Sequence, residues 1–177
     1  MQPYIISFTD VKADGNCGFS AIAVLLGLGE DAWPYVRRDL IFELRTFWNE
    51  YIEMYGSYDH AISIYHSLSF FESHRSASLE YWMTMPDMRH LIACKYNVIH
   101  ILSPKQCDTY LPLRSIPPPT DERVSMTTGF VNDNHYVPLS LADRYPMPFV
   151  MIQWFKYKYE CEADWVTPYN EQLALFV

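Results

Sequence analysis

The chain has 177 residues, of which 50% are hydrophobic and 16% aromatic, and this composition excludes an intrinsically disordered protein. Its formal net charge is −8 and no short window is rich in Lys or Arg, which argues against nucleic-acid binding as the main function. No signal-peptide pattern and no stretch apolar enough for a membrane span is present, and the four cysteines form no C-x-x-C pair. We therefore expect a soluble intracellular protein, cytoplasmic or nuclear, with reduced thiols.

The first half of the chain is predicted to be helical. Residues 18–26 are apolar on almost every side, which is typical of a buried helix, and glycines follow directly. Between residues 30 and 56, apolar side chains recur at every third or fourth position, which predicts one amphipathic helix ending at Gly56. A weaker repeat of the same kind predicts a further helix over residues 58–71.

The second half alternates between one helix and several short strands. Residues 85–97 are predicted to be a helix, and the β-branched run at 98–102 directly after it predicts a strand. A long polar, proline-bearing loop is predicted from residue 103 to 125. Two short strands are expected near residues 127–131 and 135–141.

This order of elements indicates the fold class. Helices come first and strands cluster late, which favours an α+β fold with a small central sheet covered by helices. The apolar run at 149–155 is compatible with a strand or with part of a tail. We expect a single domain over residues 1–177, with a core at about 10–141 and a C-terminal extension, 142–177, that packs on the core or extends it.

Cys17 stands between a polar turn, Asp14-Gly15-Asn16, and the predicted buried helix. In the first turn of a helix the backbone N–H groups are unpaired and the macrodipole is positive, which favours the nucleophilic thiolate. The same N–H groups can stabilise an oxyanion, and Gly15 lets the backbone turn tightly beside a substrate carbonyl. This pattern indicates an acyl-transfer nucleophile, the alternative being a small buried cysteine that only packs.

A thiol nucleophile needs a base, most often histidine, and the chain has six. His135 follows the polar run 132–134 and begins a predicted strand, which would hold the imidazole rigidly at the mouth of a cleft. His135 is therefore the candidate base. The other five are expected on the surface (His60, His66, His74) or in the core (His90, His100).

The motif DGNCGFSAIA at residues 14–23, combined with the distant NHYVPL at 134–139, resembles the ovarian-tumour (OTU) family of cysteine proteases. The segment WMTMPDMRHLIACKYNVIHIL at 82–102 is also similar to the helix and strand between those motifs in the family. The pattern is most similar to OTU-like domains associated with transposable elements, over about residues 10–141. The resemblance implies a papain-like α+β fold and an isopeptidase, a ubiquitinyl hydrolase, that removes ubiquitin from proteins or from other ubiquitins.

The resemblance also implies roles for individual residues. Cys17 matches the nucleophile, His135 the general base and Asp14 the acidic residue of the cysteine motif. We expect the Asp14 carboxylate to hold the turn by accepting backbone N–H bonds. The backbone of residues 14–17 matches the oxyanion loop, and Tyr136 matches the aromatic residue after the histidine, a candidate substrate contact.

The residue that orients the histidine departs from the family pattern. Many members place Asp or Asn two residues after the histidine, where this chain has Val137, which cannot accept the imidazole N–H. Asp133, two residues before His135, would share a strand face with it, and we predict that Asp133 is the orienting residue. Its neighbour Asn134 and the upstream Asp10 remain alternatives.

The leading functional hypothesis is a deubiquitinase that acts on ubiquitin or polyubiquitin chains through a Cys17 thioester. It is expected to need no cofactor or metal, to act as a monomer, and to bind neither nucleic acid nor membrane. Acidic residues near the cleft, including Asp133 and residues 120–122, are candidate contacts for the basic tail of ubiquitin. One alternative is a catalytically silent ubiquitin-binding module. Another, which the −8 charge disfavours, is a nucleic-acid-binding fragment of a transposase.

Overall fold

The computed structural model describes residues 2–103 and 105–176, which form helices and one mixed sheet. The α-helices are Cys17–Leu25 (α1), Trp33–Thr46 (α2), Trp48–Tyr55 (α3), Tyr58–Leu68 (α4), Arg89–Tyr96 (α5), Ile152–Tyr157 (α6) and Asn170–Ala174 (α7). The strands are Ile5–Phe8 (β1), Val98–Leu102 (β2), Cys107–Tyr110 (β3), Ser125–Val131 (β4) and His135–Leu141 (β5). Across the two described ranges, no helix is long and apolar enough to cross a membrane.

The sheet places the start of β5 beside the start of α1. Its five strands run in the order β1-β5-β4-β2-β3, with β2 and β4 parallel and the other pairs antiparallel. Helix α1 packs against β4 and β5, while α5 packs against β2 and β3. The helices and the sheet thus enclose one main core, to which α1 contributes Phe19, Ala21, Ile22 and Ala23, all of them fully buried.

The single helix predicted over residues 30–56 is wrong, because the chain leaves the helical conformation at Phe47 (φ −115°, ψ 37°). A 3-10 turn precedes α2, and α3 begins directly after the break. The Phe47 ring packs under the guanidinium of Arg114, 3.8 Å from the ring centroid, and Trp48 packs edge-on against Tyr58 of α4. Both halves are amphipathic, so periodicity alone does not reveal that the helix axis changes.

The predicted loop at 103–125 is also wrong in part, because it contains β3. The sequence of β3 is too short to show alternation, and the strand is fixed by its antiparallel pairing with β2, where His100 lies opposite Thr109. Strand β1 was not predicted either. It has only four residues and is held by pairing with β5.

Residues after β5 cover the outer edge of the sheet. The N–H of Thr109 in β3 donates to the Phe149 carbonyl at 3.0 Å, and the N–H of Met151 donates to the Thr109 carbonyl at 3.1 Å. The run at 149–155 therefore forms one isolated bridge and then enters α6. Satisfying the backbone of an edge strand in this way protects it from pairing with other chains. A second apolar cluster supports the contact and comprises Leu111, Leu113, Met147, Trp154 and Trp165.

Candidate active site

The turn before α1 is fixed by hydrogen bonds that the local sequence supplies. The Asp14 carboxylate accepts the backbone N–H of Asn16 at 2.9 Å, which closes an Asx turn. The Asp14 carbonyl accepts the N–H of Ala77 at 2.8 Å, which ties the turn to the segment after α4. This arrangement fits the proposed role of Asp14 in holding the turn. Cys17 follows as the first residue of α1, with 7% of its surface exposed.

Gly15 is required by both the conformation and the packing of this turn. Its φ is +82°, in the left-handed region that L side chains rarely adopt. A Cβ at this position would lie 2.3 Å from the Ala77 carbonyl oxygen and 2.7 Å from Nε1 of Trp82. The Trp82 indole N–H donates to the same Ala77 carbonyl at 3.0 Å, so none of these groups can move independently.

Replacing Gly15 with alanine should therefore disrupt both stability and reactivity. We expect Gly15→Ala to lower the free energy of unfolding by roughly 2–4 kcal/mol and to reduce alkylation of Cys17, measured by chemical denaturation and by mass spectrometry. Gly27→Ala is the matched control, because Gly27 also has a positive φ (+75°), but a Cβ added there would meet no atom within 4 Å. Equal destabilisation by the two substitutions would show that packing against Ala77 and Trp82 is unimportant.

The surroundings of the Cys17 thiol oppose its ionisation. Burial raises the pKa of Cys17 above its ordinary value, although the backbone N–H groups of Tyr136 and Gly18 oppose this shift. The Tyr136 N–H lies 3.5 Å from the sulfur. The expectation that the position at the helix N-terminus favours the thiolate is thus wrong in its net direction, because desolvation raises the pKa by more than the backbone N–H groups lower it. Such a thiol needs a neighbouring base.

His135 is the first residue of β5 and is positioned by a tight hairpin. It pairs with Val131 of β4 across a turn in which Asn132 and Asp133 both have positive φ, and Asn134 donates its N–H to the Val131 carbonyl at 3.2 Å. The His135 side chain is only 16% exposed. Its Nε2 lies 3.0 Å from Oδ1 of Asp10, so Nδ1 is the ring nitrogen left for Cys17.

Asp10, the alternative upstream residue, is the partner of His135, and the prediction of Asp133 is contradicted by the structure. Asp133 instead accepts a hydrogen bond from the exposed Lys105 ammonium at 2.7 Å. Its positive φ places it within the turn, so strand alternation does not extend back from His135. Within the described ranges, the side chain of Asn134 also makes no hydrogen bond to His135. The pKa of Asp10 is lowered, mainly by the hydrogen bond from His135 and to a smaller extent by the hydrogen bond from the backbone N–H of Val11.

Cys17 and His135 line the same cavity, which has a volume of about 590 Å³ and also contains Asp10, Gly15 and Trp82 in its walls. A neighbouring cavity of about 200 Å³ is bounded by Cys17, Trp82 and Tyr136, so Cys17 and Trp82 line both cavities. Trp82 was not singled out by the sequence. The geometry brings together an acid, an imidazole, a thiol and a helix N-terminus, which is the set that acyl transfer through a thioester requires.

Tyr136 forms part of the support for this cavity. It is 6% exposed and packs against Phe130 with ring centroids 4.6 Å apart, and burial raises the pKa of its phenol. Its role as a substrate contact stays a prediction. Val137 is buried and lines an apolar cavity of about 560 Å³ on the sheet with Gly129 and Leu139.

The two core histidines are unsuited to act as the base. Burial lowers the pKa of His90 to about 4 and that of His100 to about 3. His100 is bonded to the Thr109 hydroxyl at 2.9 Å and to the Tyr145 hydroxyl at 2.5 Å, while both ring nitrogens of His90 lack a partner among the described atoms. Neither lines the cavities beside Cys17.

Comparison with known proteins identifies the fold. No protein-family model matches the chain, and no curated protein matches it. The structure is similar to the viral OTU domain protease of Dera Ghazi Khan virus, with a TM-score of 0.55 and 15% identity over 80% of this chain and 84% of that one. The corresponding protease of Farallon virus gives a TM-score of 0.49 at 20% identity, covering 80% and 87%. The Hazara virus OTU, solved bound to ubiquitin, gives 0.45 at 14% identity, covering 80% and 84%.

The first of these similarities shows that the chain has an OTU-type fold, and the predicted α+β class is confirmed. None of the three proteins is described as associated with a transposable element, so that part of the resemblance stays a prediction.

Proposed function

We propose that this protein is a thiol-dependent deubiquitinase in which Cys17 is the nucleophile and His135 the general base. The observation that carries the proposal is the placement of Cys17, His135 and Asp10 around one cleft at the start of α1, in an OTU-type fold. The proposal includes an intracellular location and ubiquitin or polyubiquitin as the substrate. It also retains the sequence-based division into a core and a C-terminal extension, which together form one domain.

The reaction follows from these positions. Nδ1 of His135 takes the proton from Sγ of Cys17, and the sulfur attacks the carbonyl carbon of the C-terminal glycine of ubiquitin. The imidazolium then gives that proton to the departing lysine amine as the isopeptide C–N bond breaks, leaving a thioester. Water, deprotonated by His135, attacks the thioester carbonyl, and the Cys17 thiolate leaves and regains its proton. Asp10 stabilises the imidazolium in both steps, since it accepts a hydrogen bond from Nε2.

The oxyanion formed in each step is assigned to backbone N–H groups of the loop at residues 14–17, at the start of α1. The Asn16 N–H is already donated to the Asp14 carboxylate, so the donors are assigned to the other residues of this loop. Trp82 lines the cleft beside the thiol, which suits an acyl donor that ends in glycine and has no side chain to accommodate. The acidic side chains of Asp133 and residues 120–122 remain proposed contacts for the basic ubiquitin tail.

The test uses ubiquitin carrying a thiol-reactive group at its C-terminus, followed by a panel of polyubiquitin chains. We expect covalent capture of the probe at Cys17 and cleavage of at least one chain linkage. Stable probe binding without capture or cleavage would instead support the silent ubiquitin-binding module. The raised pKa of the Cys17 thiol is the observation that favours that second candidate.

Substituting Asp10 tests the assignment of the orienting residue. We expect Asp10→Ala to lower kcat roughly 10- to 100-fold, because the imidazolium loses its hydrogen-bond partner. The loss is limited because the site is exposed and water can reach the imidazolium. The assay is the initial rate of chain cleavage at saturating substrate. Asp133→Ala is the matched control, since Asp133 contacts only the exposed Lys105 among its described ion-pair partners, and it should retain near-normal kcat. A larger loss in Asp133→Ala than in Asp10→Ala would reverse the assignment.

A further inference from the structure

The Asp10 carboxylate reaches His135 from a segment that lies outside regular secondary structure. Strand β1 ends at Phe8, and the Thr9 N–H still donates to the Pro138 carbonyl of β5 at 3.1 Å. The Asp10 side chain is 77% exposed, so side-chain packing does little to hold it beside the imidazole. Its position must therefore be set by the backbone on either side of it.

Two successive backbone N–H groups after Asp10 donate to carboxylates. Oδ1 of Asp10 accepts the Val11 N–H at 3.0 Å, and the same oxygen lies 3.0 Å from Nε2 of His135. The carboxylate therefore follows the orientation of the peptide group that joins Asp10 to Val11. The next N–H, that of Lys12, donates to Oε2 of Glu30 at 2.9 Å. The Val11 side chain between these two bonds is buried in the main core.

Glu30 lies in a part of the protein that can serve as a fixed support. It is the first residue of the 3-10 turn Glu30–Ala32, which leads directly into α2 and also contacts α1. Asp10 and Lys12 line the cavity that contains Cys17. The hydrogen bond between Glu30 and the Lys12 N–H thus ties this wall of the cavity to the helical layer.

The neighbouring Asp31 makes a different kind of contact with the same residue. Its carboxylate accepts a hydrogen bond from the Lys12 ammonium at 2.8 Å, whereas the Glu30 carboxylate lies 3.8 Å from that ammonium. An exposed ion pair at the end of a long side chain contributes little and leaves the backbone free to move. The two acidic residues carry the same charge side by side, but it is Glu30 that holds the backbone.

We propose that Glu30 is a positioning residue for the Asp10–His135 pair, because it fixes the backbone on which the Asp10 carboxylate depends. Hydrogen bonds around a reactive group commonly hold it in its productive position. Within residues 2–103 and 105–176, no hydrogen bond or ion pair joins Glu30 to His135 or to Cys17, so it acts through Asp10. The relevance to catalysis rests on the proposed function, but the contact between Asp10 and His135 is present without substrate.

The first measurement is the titration of the Asp10 carboxyl group, followed by NMR in the free protein. The hydrogen bond from His135, and to a smaller extent that from Val11, lowers the pKa of Asp10. Glu30→Ala should weaken the bond to His135, so the pKa of Asp10 should rise toward its ordinary value. Loss of a nearby negative charge would by itself lower this pKa, so a rise identifies the loss of positioning.

Two further variants separate the hydrogen bond from the charge. Glu30→Gln keeps an oxygen that can accept the Lys12 N–H, and it should keep the pKa of Asp10 low. Asp31→Ala removes one negative charge beside Lys12 without touching the backbone bond, and it should also keep the pKa low. The other charged or titratable groups that line the cavity with Asp10 are the same in all variants, namely Lys12, Cys17 and His135.

The second measurement is the kinetics of polyubiquitin cleavage. Glu30→Ala should lower kcat roughly three- to tenfold and leave KM unchanged, because Asp10 acts on the imidazolium and not on substrate binding. In an Asp10→Ala background the same substitution should cause no further loss, since the carboxylate that Glu30 positions is absent. An equal loss in both backgrounds, or an Asp10 titration that does not rise in Glu30→Ala, would overturn the proposal. A protein that failed to cleave ubiquitin would still give the titration result, so the two failures are distinguishable.

Discussion

Replacing Cys17 with alanine is expected to abolish both capture of the ubiquitin probe and cleavage of ubiquitin chains. Without the sulfur no thioester can form, and the loss of turnover should be about 10⁴-fold or more, measured by chain cleavage over long incubations. The fold should persist, because removal of one small buried side chain costs only about 1 kcal/mol of unfolding free energy. Affinity for ubiquitin should remain, since the cleft keeps its shape.

Cys107→Ala is the matched control for this substitution. Cys107 is half-buried at the start of β3, and its thiol contacts only the Ser103 carbonyl at 3.6 Å among described partners. Cys107→Ala should retain full activity, and so should Cys161→Ala. The side chain of Cys161 lies outside the described residues. Burial raises the pKa of Cys94 to about 11, so Cys94 should resist the probe. Capture of the probe at any of these three cysteines would show that Cys17 is not the nucleophile.

Replacing His135 with alanine is expected to reduce turnover by about 10²- to 10⁴-fold, the range typical of removing a general base. The loss should fall on kcat, because the imidazole transfers the proton and does not bind the body of the substrate. The remaining activity should increase as the pH is raised. Burial raises the pKa of Cys17, so without the imidazole the thiolate must form unaided and becomes more abundant only at higher pH.

His74→Ala is the control for general effects of losing a histidine, because the side chain of His74 is 83% exposed and its only described ion-pair contact is with Glu72 at 4.0 Å. It should leave turnover near normal. Near-normal kcat in His135→Ala, or a residual rate that does not depend on pH, would remove the assigned base. His90 and His100 would be weak replacements, since both are buried away from the cleft.

The sequence predicted the positions of the candidate nucleophile and base because each carries a short-range signal. Glycine within a polar turn before an apolar helix indicates where α1 begins, and a polar run before alternating residues indicates where β5 begins. The structure places both residues at these starts, on the walls of one cavity. The α+β class followed in the same way from the order of helices and strands.

The orienting residue could not be predicted in this way. Strand alternation favoured Asp133, but two successive residues of positive φ end the strand and turn that carboxylate toward Lys105. Asp10 reaches His135 only because β1 pairs with β5 and brings the start of the chain alongside it. That pairing joins residues far apart in sequence, so no local pattern reports it.

Local sequence is enough to specify a thiol at a helix start, a histidine at a strand start and a glycine in the turn before the thiol. The groups around that chemistry are set by tertiary packing, which brings Asp10 to the imidazole and Glu30 to the backbone N–H of Lys12. Packing also sets the direction of the Cys17 pKa shift, since burial outweighs the helix N-terminus. The difference is one of range, because backbone conformation depends on a few neighbouring residues, whereas desolvation and long-range hydrogen bonds depend on how the whole chain packs.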